Sequence, residues 1–112
     1  PYQYIKNALC VCITSLWEDP GFVMIEGAAL KKIVICSNCK SGPIEFLENG
    51  NTGFLFKNNN YKDLTRVFNK FMNTDKKKID YKIKKNYLNS LNYSEIEHGK
   101  KFNHLLKLYE KK

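Results

Sequence analysis

The chain has 112 residues, 43% of them apolar, and a net charge of +8. That suffices for one modest core and is too short for two full α/β domains. No apolar run reaches the roughly 18 residues of a membrane span and no secretory leader is visible, so the expectation is a cytoplasmic domain. The chain opens at Pro1 and enters an apolar segment within a few residues, as the middle of a longer protein would.

The charge is unevenly placed. Residues 1–56 sum to −1 and residues 57–112 to +9. The first half is apolar and contains glycines; the second is rich in Lys, Asn and Tyr. A basic half can mark a nucleic-acid or anionic-membrane surface. Here the lysines fall between apolar positions at helical spacing, which reads as solvated helix faces. Four cysteines sit as Cys10-x-Cys12 and Cys36-x-x-Cys39. Two such pairs have the number for a four-thiolate zinc site. The first pair, however, lies in an apolar run with Leu9 and Val11 where a zinc knuckle needs turn residues. Core cysteines are the expectation, with neither metal nor disulfide.

In chain order, Tyr4–Ala8 reads as a helix end or turn. Leu9–Thr14 suits a short strand covered on both faces. Polar residues, a Pro and a Gly break the pattern over Ser15–Gly21. Phe22–Leu30 reads as a helix with Phe22, Ile25 and Ala29 on one face. Ile33–Cys36 is a second buried strand, and Ser37–Gly42 a polar loop. Pro43 opens a short helix through Glu48. Asn49–Gly53 is a turn and Phe54–Phe56 a third strand.

Strands and helices alternate through residues 9–56, which argues a parallel α/β sheet. The rest is helical. Tyr61–Met72 aligns Tyr61, Leu64, Phe68 and Phe71. A lysine-rich helix follows with Ile83, Tyr87 and Leu91 inward. Ser94-Glu95-Ile96-Glu97 is a capping-box signature for a last helix carrying Phe102, Leu105, Leu106 and Tyr109. The predicted organisation is a single partial domain, with an α/β part over 1–60 and a helical tail over 61–112.

The informative stretch is Ser15-Leu-Trp-Glu-Asp-Pro-Gly-Phe-Val-Met-Ile-Glu26, running from a strand into a helix. Ligands of open α/β sheets bind beyond the carboxyl ends of the strands. The amides of Gly21, Phe22 and Val23 start the helix and lack intrahelical acceptors, and the helix dipole adds positive potential. Such a mouth suits a diphosphate, and Gly21 permits close approach to the backbone. Glu18 precedes the mouth and Glu26 lies about one turn in. A carboxylate accepts hydroxyls from a ribose or a sugar. The alternative is two exposed acids near a helix start, and spacing alone leaves the two readings level.

The ordered set decides between them. Ser-Leu-Trp-Glu18-x-Pro-Gly-Phe, Glu26, Gly42-Pro43-x-Glu45 and Asn49-Gly-x-Thr-Gly-Phe-Leu-Phe56 together resemble the C-terminal domain of family 4 glycosyltransferases, the group 1 domain. The likeness covers residues 4–72 closely and the tail in outline. It implies a Rossmann-like parallel sheet with flanking helices, the C-terminal half of a GT-B fold, followed by C-terminal helices. It also implies transfer of a sugar from a nucleotide diphosphate-sugar to an acceptor hydroxyl with retention, in surface polysaccharide, lipopolysaccharide or glycolipid synthesis. Glu18 would face the donor sugar and the reacting centre, and Glu26 would hold the ribose. The backbone at Gly21, Phe22 and Val23 would hold the phosphates, with Ser41 and Gly42 beside the nucleotide cleft. The resemblance implies no metal and no cofactor; the nucleotide-sugar is a substrate.

Three departures stand out. Gly27 replaces a usual Ala, which costs a helix up to about 1 kcal/mol. Lys31-Lys32-Ile33 stands where the family often has Gly-x-Pro. The family's Arg/Lys pair on the diphosphate, and its acceptor-binding N-terminal domain, would lie upstream of Pro1. Binding of the donor without transfer is therefore expected of these 112 residues alone. The rival expectation is a non-catalytic basic module docking on anionic membrane or nucleic acid. The aromatic residues sit on helix stripes rather than in a base-stacking pattern, which disfavours nucleic acid. Peripheral membrane association remains an expectation, at the inner face. His98 and His104 read as surface or packing residues. Trp17 suits stacking on a sugar or base as well as loop packing.

Overall fold

The computed structural model describes residues 2–17, 22–40, 42–93 and residues 104, 107 and 108. A short helix α1 (Tyr2–Asn7) leads into β1 (Cys10–Ile13). Helix α2 (Phe22–Ala29), β2 (Ile33–Ser37) and α3 (Pro43–Phe46) follow. A turn at Glu48–Gly50 precedes β3 (Phe54–Phe56), and the helices α4 (Tyr61–Met72) and α5 (Lys76–Ser90) close the described chain, with a last turn at Leu91–Tyr93. The strands form a parallel sheet in the order β1-β2-β3. Cys10 pairs with Ile33 and Ile13 with Cys36, while Ile35 pairs with Phe54 and Ser37 with Phe56. The expected α/β architecture is the observed one.

β2 is central and buried along its whole length, and its β-branched run suits a strand covered on both faces. Val11, Ile13, Val34 and Cys36 pack on one face against Met24 and Ala28 of α2, with Phe46 and Leu47 beside them. Ile33, Ile35, Phe54 and Phe56 pack on the other against Val67 and Phe71 of α4. β1 departs from expectation. Val11 and Ile13 are buried but Cys12 is exposed and Cys10 is half-buried against the second cluster, so this edge strand is fully covered on one face only.

Two helix faces also differ from the reading by periodicity. In α2 the buried residues are Met24, Gly27 and Ala28; Phe22 and Ala29 face outward. Gly27 explains the choice. A Cβ there would meet Val11 Cγ2 at 3.0 Å and Val34 Cγ2 at 3.4 Å, so its absence lets α2 lie close on β1 and β2. In α4 Val67 and Phe71 are buried, while Tyr61 is well exposed and Phe68 partly so. In α5 the fully buried residues are polar, Asn86 and Ser90; Ile83 and Tyr87 are half-buried and Leu91 is exposed. The predicted last helix falls almost wholly outside the described residues.

Caps fit the chain's turns. Asn60 accepts from Asp63 N at 2.9 Å and Asp75 from Lys77 N at 3.4 Å, opening α4 and α5. α2 ends with Lys32 N donating to Gly27 O and Lys31 N to Ala28 O, both 3.0 Å, with Lys31 left-handed at φ 59°. This is a Schellman exit with lysine where glycine is favoured. The departure noted at Lys31-Lys32-Ile33 thus falls on the helix exit.

Candidate functional site

The carboxyl ends of the three strands are tied together by side chains. Ser37, fully buried at the end of β2, donates through Oγ to Ser15 O at 2.5 Å. Asn38 N donates to Phe56 O at 2.9 Å. Asn58 N donates to Asn38 Oδ1 at 2.8 Å, and Asn58 Nδ2 to Leu16 O at 3.0 Å. The loop after β1 is therefore held from the ends of β2 and β3 by neutral hydrogen bonds. The strand pattern did not single out Ser37, Asn38 or Asn58. Polar residues directly after buried strands were the available signal.

This organised edge carries exposed apolar residues. Leu16, Trp17, Phe22 and Val23 are each at least half exposed. Phe22 and Val23 begin α2, where first-turn amides have no acceptor within the helix. Glu26 lies four residues beyond Phe22 and so shares its stripe. Glu26 is intermediate in exposure. No described residue forms an ion pair with Glu26. Gly42 opens α3 at the same end of the sheet. Its φ of 101° belongs to the left-handed region that favours glycine, and its carbonyl accepts from Phe46 N at 2.7 Å. Glu18, Gly21 and Ser41 lie outside the described residues.

The chemical character of this edge is clear from its parts. The first-turn amides of α2 lack acceptors within the helix, and exposed apolar groups lie beside them. Among the described residues no group of three or more His, Cys, Asp or Glu side chains converges to hold a metal. Cys36 and Cys39 are buried, Cys10 is half-buried and Cys12 is exposed. Burial pushes the Cys10 and Cys12 thiols up, and Cys12 adds to the effect at Cys10, which keeps both from acting as ready thiolates.

The sequence model of the family described as glycosyl transferases group 1 matches residues 1–88. The chain belongs to the group 1 glycosyltransferases. The matched span of this group 1 domain runs from α1 almost to the end of α5 and includes the whole carboxyl edge. It is 31% identical over 75 residues to poly(ribitol-phosphate) alpha-N-acetylglucosaminyltransferase of Staphylococcus aureus strain COL, covering 67% of this chain and 15% of that protein. An uncharacterised glycosyltransferase of Methanocaldococcus jannaschii is 38% identical over 47 residues, 42% of this chain and 12% of that protein.

Among solved structures, TarM superposes with a TM-score of 0.72 at 28% identity, over 90% of this chain and 20% of that one. A glycosyltransferase from Rickettsia africae ESF-5 does so with a TM-score of 0.62 at 26% identity, over 74% and 22%. The parallel sheet flanked by helices is thus the arrangement seen in TarM. The group 1 domain spans only a small part of each of these relatives. No described helix is long and apolar enough to cross a membrane.

Proposed function

We propose that this group 1 domain is the donor-binding, C-terminal portion of a retaining GT-B glycosyltransferase of family 4. It would bind a nucleotide diphosphate-sugar for transfer to an acceptor hydroxyl. The observation that carries the reading is the mouth of α2 at the carboxyl edge, with Phe22 and Val23 starting the helix and Glu26 one turn below on the same stripe. In the reaction the bond between the anomeric carbon and the diphosphate breaks, and one to the acceptor oxygen forms on the same face. The departing diphosphate gains negative charge. Amides preorganised at Gly21, Phe22 and Val23 would stabilise it without reorganising. Glu26 would accept the ribose hydroxyls and Glu18 would face the donor sugar. The acceptor hydroxyl's proton passes to the departing diphosphate, and the domain upstream would select that acceptor. The S. aureus relative, a poly(ribitol-phosphate) alpha-N-acetylglucosaminyltransferase, supports a polymer as acceptor, and the same reading has the reaction in the cytoplasm.

The test is calorimetric titration of the chain with uridine and guanosine diphosphate-sugars, beside Glu26→Ala. One of the donors should bind, and the variant should bind about tenfold more weakly, the size of one lost charged hydrogen bond. A folded sample that takes no nucleotide, or a variant that binds as well as the parent, sinks the reading.

A further inference from the structure

The opposite edge of the sheet has a different chemistry. Before β3 the chain makes a left-handed turn, with φ of 50° at Glu48, 58° at Asn49 and 91° at Gly50. Lys82 of α5 reaches over it. Its Nζ donates to Gly50 O at 2.7 Å, Gly53 O at 3.1 Å and Asn51 O at 3.3 Å, and lies 4.8 Å from the centre of the Phe54 ring. Around this clamp lies a cavity of about 670 Å³, between the turn, the end of α4 and the start of α5. Four cations line it, Arg66, Lys70, Lys78 and Lys82, against one carboxylate, Asp75.

The cations divide by their engagements. Arg66 is paired with Asp63 at 2.8 Å, and Lys82 is spent on three carbonyls. Asp75 is turned to the start of α5, accepting from Lys77 N. Lys70 and Lys78 are left with no carboxylate among the described residues. Like charge is crowded here: burial first, and then the charge of Lys70, hold the Lys82 ammonium below its ordinary value. An anion in the cavity would relieve that crowding, and the volume is that of a site for a small organic ligand. Lys78 also borders an adjoining groove of about 310 Å³ with Lys77 and Tyr81, which extends the cationic surface outward.

We propose that the cavity at the amino edge, with Lys70 and Lys78 as its free cations, is a second anion site that takes a phosphate group, distinct from the donor mouth at the carboxyl edge. Phosphate fits better than a carboxylate because two separated ammonium groups can share its several oxygens. The group can come from a soluble phosphorylated ligand or from the headgroup of an anionic lipid.

The experiment is calorimetric titration of the chain with inorganic pyrophosphate at constant ionic strength, using the parent and the double variant Lys70→Gln with Lys78→Gln, each titrated separately with the uridine and guanosine diphosphate-sugars. Both lysines are exposed, so the double variant should fold, and circular dichroism checks that it does. The double variant should lose, or weaken at least about tenfold, one pyrophosphate-binding step of the parent, as for a lost charge-assisted contact, while its nucleotide-sugar affinity stays that of the parent. Equal binding by the double variant, or no pyrophosphate bound by the parent, overturns the site. Because the nucleotide-sugars are titrated alongside, a failure here is separable from a failure at the donor mouth. Sedimentation with phosphatidylcholine vesicles, with and without phosphatidylglycerol, assigns the source. Retention that needs phosphatidylglycerol and is lost in the double variant identifies a lipid headgroup. Pyrophosphate binding without retention identifies a soluble phosphate.

Discussion

The two ends of the strands are built from opposite materials. At the carboxyl end, neutral side chains of Ser37, Asn38 and Asn58 tie the loops, and exposed apolar residues surround a helix mouth. At the amino end, a lysine clamps a left-handed turn and more cations gather beside it. The difference separates two tasks. Amides and a dipole can hold a ligand that must be released after each turnover, whereas the amino end holds backbone in a conformation that non-glycine residues disfavour, at a cost of about 1–2 kcal/mol per residue. Changes at the clamped turn should therefore cost stability, and changes at the carboxyl end should cost donor binding.

The hardest test of that division is Gly53→Ala. A Cβ at Gly53 would lie 2.7 Å from Val34 O and 2.9 Å from Leu47 Cδ2. The first of these is backbone of the central strand and cannot swing away. The expected loss is about 3 kcal/mol in urea unfolding, the upper range for an overpacked core. A loss below that of Gly27→Ala would mean that the amino end is more plastic than its clamp suggests. At Gly27 the crowding comes from the side chain of Val11, and the helix gains up to about 1 kcal/mol from alanine, so the two effects should nearly cancel.

Lys82→Met comes next. The methionine keeps the apolar stem against Phe54 and removes the ammonium from the three carbonyls. Charged hydrogen bonds are worth about 1.5–3 kcal/mol, and partial exposure screens them, so a loss of roughly 1–2 kcal/mol is expected. Nucleotide-sugar affinity should be unchanged, because the clamp lies at the other end of the strands. A variant that unfolds at the parent's urea midpoint would remove the clamp from the account.

At the carboxyl end the signs reverse. Trp17 is 67% exposed, so Trp17→Ser should leave the urea midpoint within about 0.5 kcal/mol of the parent. If the ring stacks on the donor, its affinity should fall in the titration used for Glu26→Ala; unchanged affinity assigns Trp17 to contact with the neighbouring domain instead. A large loss of stability would show that the apolar rim belongs to the core, against the division of tasks.

How much of this was legible in sequence depends on where the chain varies. The strand–helix alternation and the span of α4 were readable because apolar and polar residues alternate there at a clear period. The inward face of α2 was not. Phe-Val-Met-Ile-Glu-Gly-Ala-Ala is apolar nearly all round, so hydrophobicity has no phase to read, and the face is chosen by the small volume of Gly27 and Ala28. α5 misleads for the opposite reason. Its buried Asn86 and Ser90 are polar, and Thr52 Oγ1 lies 3.5 Å from both Asn86 Oδ1 and Phe46 O, a meeting of segments far apart in the chain that no local pattern encodes. The residues of the proposed donor mouth come from the ordered motif, while the ties at Ser37 and Asn58 needed the three strand ends to be seen side by side.

The smallest expected effect concerns pH and lies at the start of α4, close to the carboxyl end. Asp63 accepts from Lys57 N at 2.6 Å and from Arg66 Nε at 2.8 Å. The Arg66 hydrogen bond first, and the Lys57 amide next, hold its carboxyl below the ordinary value of 3.8. A carboxylate whose folded pKa is depressed binds fewer protons folded than unfolded. Its contribution is therefore complete above the unfolded pKa and disappears as pH falls through the folded one. Comparing thermal midpoints of the parent and Asp63→Asn across the acid range should show a gap at neutral pH that closes below the ordinary value. A gap that stays constant at every pH would assign the role of Asp63 to its shape as a cap, since asparagine and aspartate then would differ for reasons other than charge, and the junction between β3 and α4 would owe nothing to ionisation.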